Sequence, residues 1–136
     1  MPKRQSIFIG LLVLVYAAAR MWRLTESCLW FDEIFSVHAA RHAWPELITF
    51  VAKDLIHPPL FYLLLKAWIA IGGEGLFWLR SFSLLFAVLS LIPLGYLCRE
   101  MKLPQTEATI AIGLFAVNGS LIKYAQEVRM YSLLMF

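Results

Sequence analysis

Three short stretches of this chain place ionisable residues where acid–base or phosphate chemistry needs them. The first is Trp30-Phe31-Asp32-Glu33, an adjacent carboxylate pair just after an apolar run. A single acid at a helix start is explained by the helix dipole, worth up to about 1 kcal/mol. A pair set among Trp30, Phe31, Ile34 and Phe35 also admits a chemical reading. Burial among apolar groups raises a carboxylate's pKa and makes it a better base. The second stretch is His57-Pro58-Pro59-Leu60-Phe61-Tyr62, with Asp54 one helical turn earlier. Asp54 and His57 either cap the helix that starts near Pro58 or offer ligands to a divalent cation.

The third stretch is Gln126-Glu127-Val128-Arg129-Met130-Tyr131. Glu127 and Arg129 are two positions apart, so on a helix they do not face each other. They therefore point to two separate partners. The planar fork of Arg129 suits a phosphate, and snorkelling from a membrane interface is the alternative. Arg80 carries the same two readings at the start of an apolar run. His38 and His42 share a helical face, either as metal ligands or as surface histidines beside lipid headgroups.

The elements that must position these groups are membranous. The chain is 61% hydrophobic and 15% charged, with a formal net charge of +3, and its mean hydropathy is +0.73. A soluble domain is about half apolar and about a quarter charged. No basic stripe marks a nucleic-acid partner. Cys28 and Cys98 lack metal-like spacing.

Lys3 and Arg4 precede the apolar residues 7–22, which read as a retained membrane anchor with a cytoplasmic N-terminus. Arg20 and Arg23 at the far end weigh against that orientation, and Ala17-Ala18-Ala19 mimics a signal-peptidase site. Residues 25–78 form the expected outer loop. Two short amphipathic helices lie in it, one over residues 32–42 and one restarting at Trp44-Pro45-Glu46. Trp22, Trp30 and Trp44 fit an interfacial belt.

Residues 58–71 are apolar but reach only about 21 Å as a helix, against a hydrocarbon core of about 30 Å. Lys66 in their middle is costly toward lipid. A re-entrant or surface helix is expected, broken by Gly72-Gly73-Glu74-Gly75. Residues 79–97 and 109–122 supply the second and third spans. Asn118-Gly119-Ser120 near the end of the third reads as a kink, and its match to a glycan acceptor as chance. The expected fold is an all-α membrane protein with about three transmembrane helices and juxtamembrane helices in the first outer loop. A further helix begins at the C-terminus. The apolar run reaches Phe136 without a stop signal, so the chain reads as part of something longer. Cys28 falls outside and Cys98 inside, too far apart for a disulfide.

Taken in order, Trp30-Phe31-Asp32-Glu33, His57-Pro58-Pro59-Leu60-Phe61-Tyr62, Leu79-Arg80-Ser81 and Tyr124-Ala125-Gln126-Glu127-Val128-Arg129-Met130-Tyr131 resemble one known group. They look like the N-terminal part of family 39-type glycosyltransferases of the GT-C class. These are the bacterial relatives of dolichyl-phosphate-mannose protein mannosyltransferases and of the lipid A aminoarabinose transferases. The resemblance implies an enzyme of the plasma membrane, with its catalytic loop on the outer face. It implies transfer of a sugar from polyprenyl phosphate to a hydroxyl of a lipid, glycan or protein acceptor, with inversion.

On this resemblance Asp32 is catalytic and Glu33 completes the Asp-Glu motif. His57, Arg80, Glu127, Arg129 and Tyr131 bind substrate, and Asp54, His57 and Glu127 are the candidates for a divalent cation. Asp54 lies farther from the histidine than the family pattern has it. The family also has many more spans, so residues 1–136 alone are expected to be inactive. The alternative from another class is a membrane scaffold or transporter fragment whose acids line an ion path near the bilayer midplane.

Overall fold

The computed structural model describes residues 3–53 and 58–136, and within them it is helical with no strand. In chain order the helices are α1 Lys3–Met21, α2 Phe31–Arg41, α3 Trp44–Lys53, α4 Pro59–Gly72, α5 Leu76–Leu89, α6 Leu91–Glu100, α7 Gln105–Val117, α8 Gly119–Ala125 and α9 Tyr131–Met135. Asp54 and His57 lie outside the described residues.

Helix α5 is the hub: α1, α4, α8 and α9 all pack on it, and α2 and α3 reach it through α4. The core joins Val37 of α2, Leu47 and Val51 of α3, Phe61, Tyr62 and Leu65 of α4, and Leu79 and Phe82 of α5. The two short amphipathic helices expected between residues 32 and 53 therefore form. Their apolar sides face α4, while Phe31, Ile34, Trp44 and Ile48 stay exposed.

Helix α4 follows Pro58 with Pro59 in its first turn, where a missing N–H costs nothing. Its Lys66 turns to the end of α2. The ammonium donates to the carbonyl oxygens of Ala40 at 3.2 Å and His42 at 2.6 Å, closing the C-terminal end of α2. The glycine break after α4 makes a tight return into α5. Trp68 and Trp78 stack at 4.4 Å between centroids, and each indole N–H donates to the other residue's carbonyl at 2.8 Å. Gly72 sits under this clasp; a Cβ there would meet the Trp78 ring at 2.1 Å. Gly73 turns the chain at φ 80°, a conformation glycine adopts freely. Glu74 in the turn is bridged by Arg41 at the end of α2, and that contact holds its carboxyl below the usual range.

Helices α5 and α6 run on as Leu76–Glu100, 25 residues whose most apolar 18-residue stretch has a mean hydropathy of 2.0, long and apolar enough to cross a membrane. Pro93 has no N–H to give residue 89, and the ladder slackens around Ser90 between the two helices. The expected span over residues 109–122 departs from a straight rod: α7 and α8 meet at an angle of 59°. Asn118 makes the bend, its Oδ1 accepting from Leu121 N at 3.1 Å to cap α8. The bend leaves carbonyls at the end of α7 without helical partners, and Arg20 supplies donors to Ala116 O at 3.1 Å and Phe115 O at 3.3 Å. Arg20 is wholly buried, its guanidinium 3.4 Å from the Tyr16 ring centre. This arginine is a helix brace between α1 and α7.

Candidate active site

Glu33 is the point where three distant stretches meet. It stands in the first turn of α2 and is fully buried. Its carboxylate accepts from Trp30 N at 3.2 Å, which closes the start of its own helix. It also accepts from Val128 N at 2.9 Å in the linker between α8 and α9. From α5, Arg80 approaches side-on, with Nε at 3.2 Å and Nη2 at 3.0 Å. Two parallel N–H bonds of this kind are the strong form of an arginine–carboxylate contact.

Arg80 also donates to Leu24 O at 2.7 Å, Ser27 O at 3.1 Å and Cys28 O at 3.2 Å. A guanidinium has five N–H groups, and all of those in Arg80 point at protein oxygens. Arg80 was expected at a substrate or snorkelling at the interface. In the structure it is buried and staples the 24–28 loop to α2 and α5. Glu33, expected to share the catalytic work, is likewise turned inward and fully engaged.

Asp32, one residue earlier, faces the other way. Its side chain is 43% exposed, and Arg129 Nη2 stands 3.8 Å from its Oδ2. That is an ion pair too long for a direct hydrogen bond. Arg129 is buried rather than snorkelling, and its Nη1 also donates to the backbone oxygen of Asp32 at 3.4 Å. The Arg129 guanidinium lies 5.9 Å from the Tyr131 ring centre, and Tyr131 in turn packs on Tyr124 at 4.6 Å. Asp32, Arg129 and Tyr131 therefore form one edge of the site.

Glu127 has a different partner, as its spacing from Arg129 implies. Lys123 Nζ stands 3.9 Å from its carboxylate across one helical turn. Burial is the main cause of a raised Glu127 pKa; Lys123 and Arg129 oppose it, and Glu33 and Asp32 add to it. Residues 126–130 are a linker, not the end of a straight span, so Glu127 and Arg129 sit between helices.

A cavity of about 270 Å³ opens beside this node. Glu33 and Arg80 line its floor, and Arg23, Trp30, Lys123 and Glu127 its mouth. In the sequence Arg23 reads only as a topology charge, and Lys123 carries no role. The one-turn spacing of Lys123 and Glu127 was the signal available for the second; nothing in the sequence pointed to the first.

Among the described residues no three His, Cys, Asp or Glu side chains gather as a metal-holding group. His42 stacks on Phe50 at 5.2 Å and packs edge-on to His38. Of the three expected cation ligands, Asp54 and His57 fall outside the description, and Glu127 faces a lysine. Compared with known proteins, the chain matches no family model, no curated protein and no solved structure.

Proposed function

We propose that this chain is the N-terminal part of a membrane-embedded glycosyltransferase of the GT-C type, using a polyprenyl-phosphate sugar as donor. The observation that carries the reading is convergence. Three of the four stretches that resemble the family, far apart in sequence, meet through Glu33, Arg80 and Val128, and this leaves Asp32 half-open beside Arg129. In this reading Asp32 takes the proton of the acceptor hydroxyl. The freed oxygen bonds to the anomeric carbon from the side opposite the phosphate. The bond from that carbon to the phosphate oxygen breaks, its electron pair leaves with the polyprenyl phosphate, and the configuration inverts. Arg129 balances the charge that develops on the leaving phosphate, a term that is usually large in catalysis. Tyr131 and Glu127 orient the groups, and Glu33 and Arg80 hold the frame.

In the same reading Leu76–Glu100 crosses the plasma membrane, α1 anchors a cytoplasmic N-terminus, and the bent α7–α8 pair returns to the outer face. The exposed Phe31, Ile34, Trp44 and Ile48 rest on the outer lipid surface. Asp32 opens a helix and Glu127 lies in a linker, positions that suit an interface better than a midplane ion path. The test is transfer of labelled sugar from polyprenyl phosphate to hydroxyl acceptors, in the longer chain that the reading calls for. Asp32→Asn is expected to remove most turnover while leaving the protein in the membrane, and full activity of that variant would sink the assignment. Residues 1–136 alone are expected to transfer nothing, since few spans build little of a groove for the lipid tail.

A further inference from the structure

The cavity beside Glu33 carries two cations, Arg23 and Lys123, that the transfer chemistry above does not use. Its floor is neutralised, because Glu33 and Arg80 bind each other and Arg80 has no N–H left to give. The charges still available at its mouth are Arg23, Lys123 and Glu127. We propose that this cavity binds a phosphate-type anion, held between Arg23 and Lys123 beside the Trp30 ring.

Arg23 is 66% exposed at its side chain, and its partner Glu26, 55% exposed, does not line the cavity. An exposed pair of this kind is weak and yields readily to a competing anion. The backbone of Arg23 sits at φ 60°, which is uncommon for a residue with a side chain. Strain of this sort persists only where neighbours over-determine it, and here they do. Gln126 donates to Trp22 O at 2.7 Å on one side, and Arg80 to Leu24 O at 2.7 Å on the other. Both clamping residues also line the cavity, so the loop presents Arg23 at a fixed place.

Lys123 is 68% exposed, 3.9 Å from Glu127 and 5.8 Å from the Trp30 ring centre. Glu127 competes with any anion for this ammonium. At about 270 Å³ the cavity lies at the small end of ligand pockets and suits a phosphate monoester with a short substituent. Asp32 and Arg129 do not line it, and its two cations, Arg23 and Lys123, have no part in the transferase reading. The phosphate can come from a lipid headgroup or from a soluble ester.

The test is phosphorus-31 line broadening of inorganic phosphate and glycerol phosphate with the whole chain in phosphatidylcholine nanodiscs at neutral pH. Arg23→Ala and Lys123→Ala are each expected to weaken binding about tenfold, the order for one lost charge-assisted contact. Glu127→Gln is expected to tighten it severalfold, an effect that a merely structural role does not produce. Asp32→Asn should bind as the wild type does, which keeps this result separate from the fate of the transferase reading. In a second arm phosphatidic acid is added to the nanodiscs. Displacement of glycerol phosphate supports the site with a lipid headgroup as its ligand, and no displacement supports it with a soluble ester. Equal affinity in wild type, Arg23→Ala and Lys123→Ala overturns the proposal, as does weaker binding by Glu127→Gln. Arg23 and Lys123 are exposed, and equal helicity by circular dichroism checks that their variants fold.

Discussion

Asp32 and Glu33 are neighbours in sequence and opposites in environment. Glu33 is buried and accepts from a backbone amide of its own helix, a backbone amide of the 126–130 linker and the side of a guanidinium. Asp32 keeps almost half its side chain in the open, with the Arg129 guanidinium 3.8 Å away. The difference comes from helix geometry. Successive side chains on a helix point about 100° apart, so one acid of the pair turns toward α5 while the other looks outward. One carboxylate thus fixes the frame, and the other stays available for chemistry. The same division separates a clamped half, built from α2, α4 and α5, from an open edge at Asp32, Arg23 and Lys123.

The sharpest way to break this comparison is to attack the clamp. Removing one partner of a buried ion pair strands the other and costs about 3–5 kcal/mol. Glu33→Gln or Arg80→Leu is expected to lower stability by that order in lipid, read by thermal unfolding. The pair replaced together by Gln and Met should recover part of the loss. Gly72→Ala attacks the clamp elsewhere. The Trp78 ring cannot retreat, because it is stacked on Trp68 and its indole N–H is tied to the Trp68 carbonyl. A loss of about 1–3 kcal/mol is expected for such overpacking, with the indole near-ultraviolet dichroism reduced.

Topology gives a test of intermediate size. Cys28 is exposed in the clamped loop, and Cys98 is buried near the far end of α6. An impermeant thiol reagent on intact cells should modify Cys28 and spare Cys98. Cys98 should react once the membrane is permeabilised and the protein is opened with denaturant. Labelling of Cys98 in intact, folded protein would put α6 on the wrong side.

The smallest effect concerns Glu127. Its folded pKa is raised, chiefly by burial, so its contribution to stability is fully present below the unfolded carboxylate value. That contribution is lost as pH rises through the folded value. Wild type should therefore lose a little stability over that window, and Glu127→Gln should not.

How much of this was legible in the sequence depends on the kind of signal. Helical periodicity and apolar runs located α2, α3, α4 and the long α5–α6 rod, because burial of one face is a local, repeating pattern. The bend at Asn118 was legible from a turn dipeptide. The partners of buried charges were not. Lys66 read as a cost toward lipid, and only folding shows that the end of α2 supplies its oxygens. Arg20 read as a topology charge, although its role exists only once α7 breaks beside it. Glu33 and Asp32 could not be told apart, since the partners that distinguish them come from residues 80, 128 and 129. Long-range pairing of polar groups leaves no periodic trace in a single sequence.

The most direct measurement of the central claim compares unfolding midpoints of Asp32→Asn and Glu33→Gln in the same lipid. A loss of 3–5 kcal/mol corresponds to roughly 10–20 °C for a chain of this size. The account predicts a fall of that order for Glu33→Gln. For Asp32→Asn, a half-exposed change of charge, it predicts a shift of no more than about 2 °C. Equal falls for the two variants, or the larger fall for Asp32→Asn, would contradict the division of labour between them.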